Sequence, residues 1–362
     1  MKIAFVTPRY PPHIGGIEKH VKEIAERLAK VHDVEVFTLD DTGLPTTEME
    51  NDVKINRFKP ISLSEVMKVP PRRMVSELRH CKADIVHAHG IQNAMPYFAR
   101  KGVNKSKFVI TSHYGGTIGL FRKVLFKVYK PFLLQCLRQA DRIICVSNFE
   151  KDAIVREFDI DYDKISLISN GVDKFAADDV KTSNNEFRIM FAGRLDFTSK
   201  NIDKLIKAFV DLHRQDAKLV IVGDGPDREK IIKMISDYGI QSKVELIINP
   251  TKKQLGDEYC KANLFVMPSV YECFGMAAAE ALLSGVTTIV TNSTALSDFV
   301  TQQHAYGIEP PITSEKIAEA ITRVANGNME FKKYSGYSWD AVAENLESLY
   351  TDLLKKTDLE PI

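Results

Sequence analysis

The sequence has few cysteines, no surplus of charge and no long apolar run. Its five cysteines, at positions 81, 136, 145, 260 and 273, are an odd number without CxxC spacing, which favours reduced thiols over a disulfide framework. The net charge of +1 excludes a globally basic protein, so no nucleic-acid partner is expected. No apolar run approaches the roughly 20 residues that span a bilayer, and no signal-peptide core precedes the first apolar strand. We therefore expect a cytoplasmic protein that is soluble or at most peripheral to a membrane.

Motifs of several common enzyme classes are also missing. The sequence contains no Walker A, GxSxG or HExxH motif, and its first glycine pair does not form the dinucleotide pattern GxGxxG. His87 and His89 form an HxH pair at a strand end, but no third ligand follows at a convincing spacing. We therefore predict no metal site.

Short β-branched runs alternate with helical patterns along the whole chain. The first half contains KIAFVT, VEVFTL, DIVHAH, KFVITS and RIICVS, and after LISNGVD the alternation restarts with RIMFAG, KLVIVGDG, KVELI, LFVMPS and TTIVTN. Continuous apolar strands separated by helices predict parallel sheets covered on both faces. With 362 residues, the chain is expected to form two domains. The predicted fold class is α/β, with two doubly wound Rossmann-like domains that join near residues 170–173 and face each other across a cleft.

The chemically informative residues follow the apolar runs. In open α/β sheets, ligands bind beyond the carboxyl ends of the strands. The residues found at such positions are Gly15, Gly16, His113, Arg194, Lys200 and Glu272. Their common placement predicts a single active site between the domains.

Two of these positions offer groups that bind anions. Gly15 and Gly16 precede a helix whose first N–H groups can bind an anion or a sugar, although a plain tight turn is equally compatible. Arg194 and Lys200 can neutralise a diphosphate, the arginine through bidentate bonds and the lysine as a point charge. A solvated loop is the alternative for this pair. The later glycine turn, VGDGP, is more typical of a structural role.

The stretch YECFGMAAAE places Glu272 and Glu280 eight positions apart. Gly275 begins the predicted helix, so the N–H groups of Phe274, Gly275 and Met276 would point at an anion. Glu272 is expected on the loop before this helix, and Glu280 about two turns into it. This placement suits two hydroxyl-binding side chains better than a glycosidase pair, whose carboxyls lie roughly 5–10 Å apart on either side of the bond.

Residues 68–130 carry thirteen lysines and arginines against two acids. Within this basic region, TIGLFRKVLFKVYKPFLLQCL combines large apolar residues with Arg122, Lys123, Lys127 and Lys130. An amphipathic basic helix can lie on an anionic membrane surface, and a core-facing helix with a solvated basic edge is equally compatible. An acceptor that carries phosphate would also account for the charge.

Together these residues resemble the retaining glycosyltransferases of the GT-B fold, in the large group called family 4. The resemblance covers nearly the whole chain and rests on GGIEKHV, DIVHAHG, TSHYGG, VSNFEKD, ISNGVD, FAGRL…K, LVIVGDGP and ECFGMAAAE. It implies an acceptor-binding domain over residues 1–172 and a nucleotide-sugar-binding domain over 173–335. The closing YSWDAVAENLESLYTDLL resembles the family's last helix, which implies that residues 336–362 return to the first domain.

The resemblance also implies a role for each site residue. Arg194 and Lys200 would bind the diphosphate of a nucleotide-sugar, and Glu280 would accept hydrogen bonds from the ribose. Glu272 would hold hydroxyls of the donor sugar, beside the backbone of residues 274–276. Gly15 and Gly16 would approach the phosphates from the other domain, and His113 would lie near the reacting sugar. His113, Glu272, Arg194 and Lys200 are thus the expected catalytic residues, with no metal or other cofactor.

We therefore predict transfer of a hexose to a hydroxyl of a lipid-linked or phosphate-bearing acceptor, at the inner face of the cell membrane. Two alternatives stay open: a non-hydrolysing nucleotide-sugar epimerase of the same fold, and a non-catalytic nucleotide-sugar-binding protein. The sequence departs from the family at two points. STALSDFV replaces a glycine-containing turn near the donor, and Asn201 replaces a common glycine after Lys200.

Overall fold

The computed structural model describes residues 1–62, 68–116, 120–175, 186–327 and 329–355, without the side chains of residues 120–125. The chain divides into two compact units. The first unit comprises residues 1–171 and 337–362, and the second comprises residues 172–336.

The first unit is built on a mainly parallel sheet. Its strands are β1 (Lys2–Thr7), β2 (Asp33–Leu39), β3 (Thr47–Glu50), β4 (Val53–Phe58), β5 (Ile61–Ser62), β6 (Lys68–Val69), β7 (Ile85–His89), β8 (Lys107–Thr111), β9 (Arg142–Cys145) and β10 (Ile165–Leu167). Its first helices are α1 (Gly16–Leu28), α2 (Arg72–His80), α3 (Met95–Gly102), α4 (Leu120–Gln139) and α5 (Asn148–Phe158). The sheet order is β10-β9-β8-β7-β1-β2-β4-β3, and β5 pairs separately with β6.

The central strands of this sheet are apolar because both of their faces are covered. Residues 3–6 of β1 are fully buried, and α1 packs its apolar stripe of Val21, Ile24, Ala25 and Leu28 inward at helical spacing. Strand β3 pairs antiparallel with β4 at the sheet edge. Its sequence, TEME, has no apolar run, which explains why the strand was not predicted.

The second unit contains a fully parallel sheet. Its strands are β11 (Phe187–Ala192), β12 (Ala217–Val222), β13 (Val244–Ile247), β14 (Leu264–Met267), β15 (Thr287–Thr291) and β16 (Tyr306–Ile308), in the order β13-β12-β11-β14-β15-β16. Its helices are α6 (Phe197–Lys200), α7 (Ile202–Asp211), α8 (Arg228–Asp237), α9 (Lys252–Lys261), α10 (Met276–Leu283), α11 (Leu296–Thr301) and α12 (Ser314–Asn326). The strand order reverses beside β11, as in doubly wound folds. The predicted α/β class is therefore confirmed.

The last helix, α13 (Trp339–Lys355), packs on the first unit. The hydroxyl of Tyr350 lies 2.6 Å from Nδ1 of His87, and the Trp339 ring lies 5.9 Å from the His20 ring. A Cβ added to Gly171 would approach the Trp339 ring within 2.5 Å, so glycine permits this close packing. The C-terminal helix thus returns to the N-terminal domain, as expected.

Candidate active site

Arg194 occupies an exposed position on the turn after β11. The Leu195 N–H donates to the Asp224 carbonyl at 3.0 Å, which joins this turn to the VGDGP turn. A Cβ added to Gly223 would stand 2.0 Å from the Gly193 carbonyl oxygen. The VGDGP glycines therefore allow two backbone turns to touch, and through that contact they place the Arg194 turn.

Lys200 ends the short helix α6, whereas the sequence predicted a loop. The Asp196 side chain caps this helix by accepting the Thr198 N–H at 2.9 Å. Asn201 follows in the left-handed conformation with φ 50°, which asparagine tolerates better than most residues. The Asn201 amide also donates to the Pro268 carbonyl at 2.8 Å. Asparagine therefore fits this position, where the resemblance implied glycine, and it ties Lys200 to the end of β14.

Lys200 forms an ion pair with Glu272, which lies on the loop between β14 and α10. Only 16% of the Lys200 side chain and 14% of the Glu272 side chain are exposed. The sequence predicted separate roles for the two residues on one ligand, and no pattern in it predicted their contact. Because the two charges compensate each other, a ligand that binds either residue must compete with the other.

The helix that follows Glu272 begins at a glycine in the left-handed conformation. Gly275 has φ 90°, and a Cβ at this position would stand 2.5 Å from Leu296 Cδ2, so glycine is required. Phe274 is buried and packs edge-on against Phe299 with ring centroids 6.1 Å apart. Met276 is the first residue of α10. The first N–H groups of a helix have no intrahelical partner, so this turn can bind an anion.

Glu280 is the fifth residue of α10, a little more than one turn into the helix. The predicted distance of two turns was wrong, because Glu280 follows Met276, the first residue of the helix, by only four positions. Glu280 is 5% exposed, and its Oε2 lies 3.1 Å from the Tyr259 hydroxyl on α9. Phe175 stacks on the Tyr259 ring at 5.5 Å. Tyr259 precedes Glu280 by 21 positions, and no sequence pattern predicted that it would hold this carboxylate.

In the first unit, Gly15 and Gly16 start helix α1 in different ways. Gly15 caps the helix in an extended conformation, and a Cβ there would come within 2.2 Å of a Glu18 carboxylate oxygen. A Cβ added to Gly16 would meet no atom within 4 Å. A side chain at position 15 would only have to displace the flexible end of Glu18, whereas Gly16 leaves open space at the helix start.

His113 lies just after β8 in a left-handed conformation, with φ 46° and 7% exposure. Its Nε2 lies 3.3 Å from Nδ1 of His89, and the His20 ring lies 5.0 Å from the His113 ring. Burial lowers the pKa of His20 to about 4 and holds the pKa values of His89 and His113 well below their usual range. These three imidazoles, here called the histidine cluster, are therefore neutral at pH 7.

Within the described residues, the nitrogens of the histidine cluster lie within 4.8 Å of one another, close enough to suggest metal binding. Neutral imidazoles do bind zinc and copper. His89 and His113 are hydrogen-bonded to each other through one ring nitrogen apiece, and the His20 ring packs against both of them. We interpret the trio as a cluster of packed rings with one hydrogen bond, between His89 and His113, which sequence spacing missed because its members come from three separate elements. The expectation of no metal stays a prediction.

A buried carboxylate fixes the backbone after His113. Glu150 is fully buried, and its two oxygens accept the N–H groups of Tyr114 and Val146, the latter at 2.5 Å. Burial raises the pKa of Glu150 to about 7, against the opposing effect of these hydrogen bonds. This carboxylate thus connects the ends of β8 and β9, a contact that the sequence did not predict.

The basic region contains a helix with two faces. On α4, Leu133 and Leu137 are buried, whereas Val128 and Phe132 are 67% and 49% exposed beside the exposed Lys127. The side chains of Arg122 and Lys123 lie outside the described residues. Of the helices in the described ranges, none has the length and apolarity that a membrane span requires. The helix therefore combines a core-facing side with an exposed side that is both apolar and basic.

Two family models match the chain, one to each half. The model described as Glycosyltransferase Family 4 matches residues 14–174, and the model described as Glycosyl transferases group 1 matches residues 173–352. The chain is 29% identical to an uncharacterized glycosyltransferase of Methanocaldococcus jannaschii, over 97% of this chain and 98% of that protein. It is 26% identical to the GDP-mannose:cellobiosyl-diphosphopolyprenol alpha-mannosyltransferase of Xanthomonas oryzae, over 98% of this chain and 97% of that protein.

A solved structure shows the same fold. Sucrose-phosphate synthase from Thermosynechococcus elongatus matches with a TM-score of 0.80 at 20% identity, over 98% of this chain and 99% of that chain. At this identity the likeness concerns the fold, which is GT-B. Because the two family models together match residues 14–352, the chain belongs to the family 4, group 1 glycosyltransferases.

Proposed function

We propose that this protein is a retaining, metal-independent glycosyltransferase that moves a hexose from a nucleotide-diphosphate sugar to a hydroxyl acceptor. The observation that carries the proposal is the set of groups around α10. Lys200 and the first N–H groups of the helix suit a diphosphate, while Glu272 and Glu280 suit hydroxyls at the two ends of the donor. Arg194 supplies a second cation on the neighbouring turn.

In the proposed reaction, the bond between the anomeric carbon and the diphosphate oxygen breaks as the acceptor oxygen attacks from the same face. The acceptor proton passes to the departing phosphate oxygen, so the protein need not supply a base. Arg194, Lys200 and the N–H groups of residues 274–276 stabilise the charge that develops on the diphosphate. His113 is kept neutral by burial, so it can exchange a hydrogen bond with a sugar hydroxyl without adding charge.

We further propose that the acceptor is lipid-linked or phosphate-bearing and is met at the inner face of the cell membrane. The named activity of the Xanthomonas relative involves a diphosphopolyprenol acceptor. On α4, Lys127 lies beside the exposed Val128 and Phe132, which suits an anionic lipid surface.

Co-sedimentation with vesicles tests this surface. Lys127→Glu should weaken binding to vesicles that contain anionic lipid, and Lys253→Glu, at an exposed position on α9 in the second unit, serves as the matched control. Vesicle binding that depends on neither the anionic lipid content nor the salt concentration would contradict the membrane proposal.

The activity is tested with a panel of UDP-, GDP- and ADP-hexoses, first by thermal shift and donor hydrolysis and then by acceptor screening. Lys200→Ala should lower transfer at least 100-fold, whereas Lys207→Ala, at a half-exposed position on α7, should leave transfer unchanged. The anomeric configuration of the product, read by NMR, tests retention, and activity in excess chelator tests metal independence. Epimerised donor in the absence of acceptor, or donor binding without any turnover, would refute the proposal.

A further inference from the structure

The turn after β15 contains a residue in an unfavourable conformation. Thr294, in the segment STALSDFV, has φ 50°. This left-handed region favours glycine, and a β-branched side chain is a clear outlier there. Among the described residues with positive φ, the others are glycine, asparagine, aspartate, lysine, histidine or glutamine, and Thr294 is the β-branched exception. A threonine kept at such a position needs a compensating contact.

That contact is with the backbone of Glu272. The Glu272 N–H donates to the Thr294 hydroxyl at 3.3 Å, and the Ala295 N–H donates to the Glu272 carbonyl at 3.4 Å. The Thr294 carbonyl in turn accepts the Ser297 hydroxyl at 2.6 Å, which holds the turn itself. Glycine at position 294 would relieve the backbone but would remove the hydroxyl that accepts the Glu272 N–H.

The contact with Thr294 holds the backbone of a residue whose side chain is proposed to bind the donor sugar. Glu272 lies on the loop between β14 and α10, and its side chain already meets Lys200. A carboxylate that must meet particular sugar hydroxyls needs its backbone held as well as its side chain, because small displacements weaken a positioned interaction strongly. The Thr294 hydroxyl supplies that hold from the neighbouring turn.

We infer that Thr294 is a positioning residue for the donor sugar, which acts by fixing the backbone, and thus the carboxylate, of Glu272. The inference rests on the proposed role of Glu272 as the acceptor of sugar hydrogen bonds. It assigns the threonine to placement of the sugar and not to binding of the nucleotide. The strained backbone is retained for the sake of the hydroxyl.

Three substitutions separate the hydroxyl from the backbone strain. Thr294→Ser keeps the hydroxyl, Thr294→Val keeps the shape without it, and Thr294→Gly removes both the hydroxyl and the strain. We expect kcat/KM for transfer within about twofold of the wild type for the serine variant and at least about tenfold lower for the other two. The affinity for the nucleoside diphosphate alone should stay unchanged in all three. The Tm of the glycine variant should be unchanged or up to about 4 °C higher.

A matched control is His213→Gly. His213 also has a left-handed backbone, with φ 48°, and is exposed. It lies between α7 and the amino end of β12, whereas the candidate site lies beyond the carboxyl ends of the strands. This variant relieves similar strain and should leave transfer unchanged. Two results for Thr294→Gly would overturn the inference: an unchanged kcat/KM for transfer, or a fall in both kcat/KM and Tm.

Hydrogen exchange of the peptide that contains Glu272 separates this inference from the proposed function. In the protein without ligand, its exchange should quicken in the glycine and valine variants and stay as in the wild type in the serine variant. Unchanged exchange in the glycine variant would overturn the inference even if transfer is found. If the exchange pattern holds but the wild type turns over no nucleotide-sugar, the proposed function fails while the Thr294 contact stands.

Discussion

Replacing Glu272 with glutamine should weaken binding of the intact nucleotide-sugar and strengthen binding of the nucleoside diphosphate alone. The glutamine keeps the shape of the side chain and can still accept a hydrogen bond from Lys200, but it removes the charge that compensates the lysine. Hydrogen bonds to charged groups contribute about 1.5–3 kcal/mol, and neutral ones about 0.5–1.5 kcal/mol. If Glu272 binds hydroxyls of the donor sugar, the variant should lose about 1–2 kcal/mol of that interaction, which is about 5- to 30-fold in kcat/KM.

The nucleoside diphosphate without sugar should show the reverse effect. Its phosphates must compete with Glu272 for Lys200. Because desolvation offsets most of the attraction within a largely buried ion pair, we take the net contribution of this pair as at most about 1 kcal/mol. Release of Lys200 should therefore tighten diphosphate binding up to about fivefold. Titration calorimetry with the nucleoside diphosphate and with the intact donor measures both affinities, and transfer kinetics measure kcat/KM.

The matched control is Glu245→Gln on the edge strand β13, where the glutamate pairs with Arg188 and not with the site. It should leave all three quantities unchanged. Equal weakening of diphosphate and donor binding in Glu272→Gln would refute the reasoning, because it would place Glu272 on the phosphate side of the donor or in the support of the fold.

Three further predictions follow from buried polar groups. Tyr259→Phe should raise KM several-fold for a ribose-containing donor, because Glu280 loses a donor hydroxyl, and should reduce the discrimination against a 2′-deoxy donor. Glu150→Gln should lower Tm by several degrees in thermal unfolding, since an amide offers one oxygen where two N–H groups need acceptors. The free energy of unfolding should fall as pH drops from about 6.5 toward 4. Burial lowers the pKa values of four histidines, His20, His87, His89 and His113, so these groups take up protons in the unfolded state at a higher pH than in the folded state. Each such group lowers the free energy of unfolding by about 1.4 kcal/mol per pH unit in this range. Glu150 has a raised pKa of about 7 and takes up a proton first in the folded state, so its stabilising effect on acidification offsets the loss from one of the four histidines. A Tm that rises on acidification would contradict this prediction.

The parallel core of both sheets could be predicted from the sequence because strands buried on both faces read as continuous apolar runs. Runs such as KIAFVT and LFVMPS correspond to β1 and β14 within two residues. The antiparallel edge strand β3 could not be predicted, since its sequence, TEME, is only partly buried and carries no apolar pattern. Strand β4, inside the first sheet, was not predicted either, because the polar residues of its sequence, VKINRF, interrupt the apolar run. Apolar runs therefore identify strands without polar interruptions, wherever these lie in the sheet.

The site shows a similar division. Strand ends and glycine turns identified the residues that carry charge, including Arg194, Lys200 and Glu272, because topology places such residues at one edge of a parallel sheet. The sequence could not predict which of them touch, as the Lys200–Glu272 pair spans 72 positions. It also could not identify Tyr259 and Glu150. Their importance comes from tertiary contacts, and a tyrosine or a glutamate on an amphipathic helix has no distinctive pattern of its own.

The ion pair and the strained threonine together suggest how the donor half of the site favours an intact nucleotide-sugar over its fragments. Lys200 and Glu272 are largely buried, and each would be costly to leave without a partner. A free diphosphate would pair with Lys200 and leave Glu272 without a partner, whereas a free hexose would bind Glu272 and leave Lys200 without one. The proposed donor offers phosphate and hydroxyls at once, so it can separate the pair without leaving either charge uncompensated. Selectivity for the complete donor then follows from the pairing of two opposite charges in the site, provided that the Glu272 backbone is held in place, which is the role that we assign to Thr294.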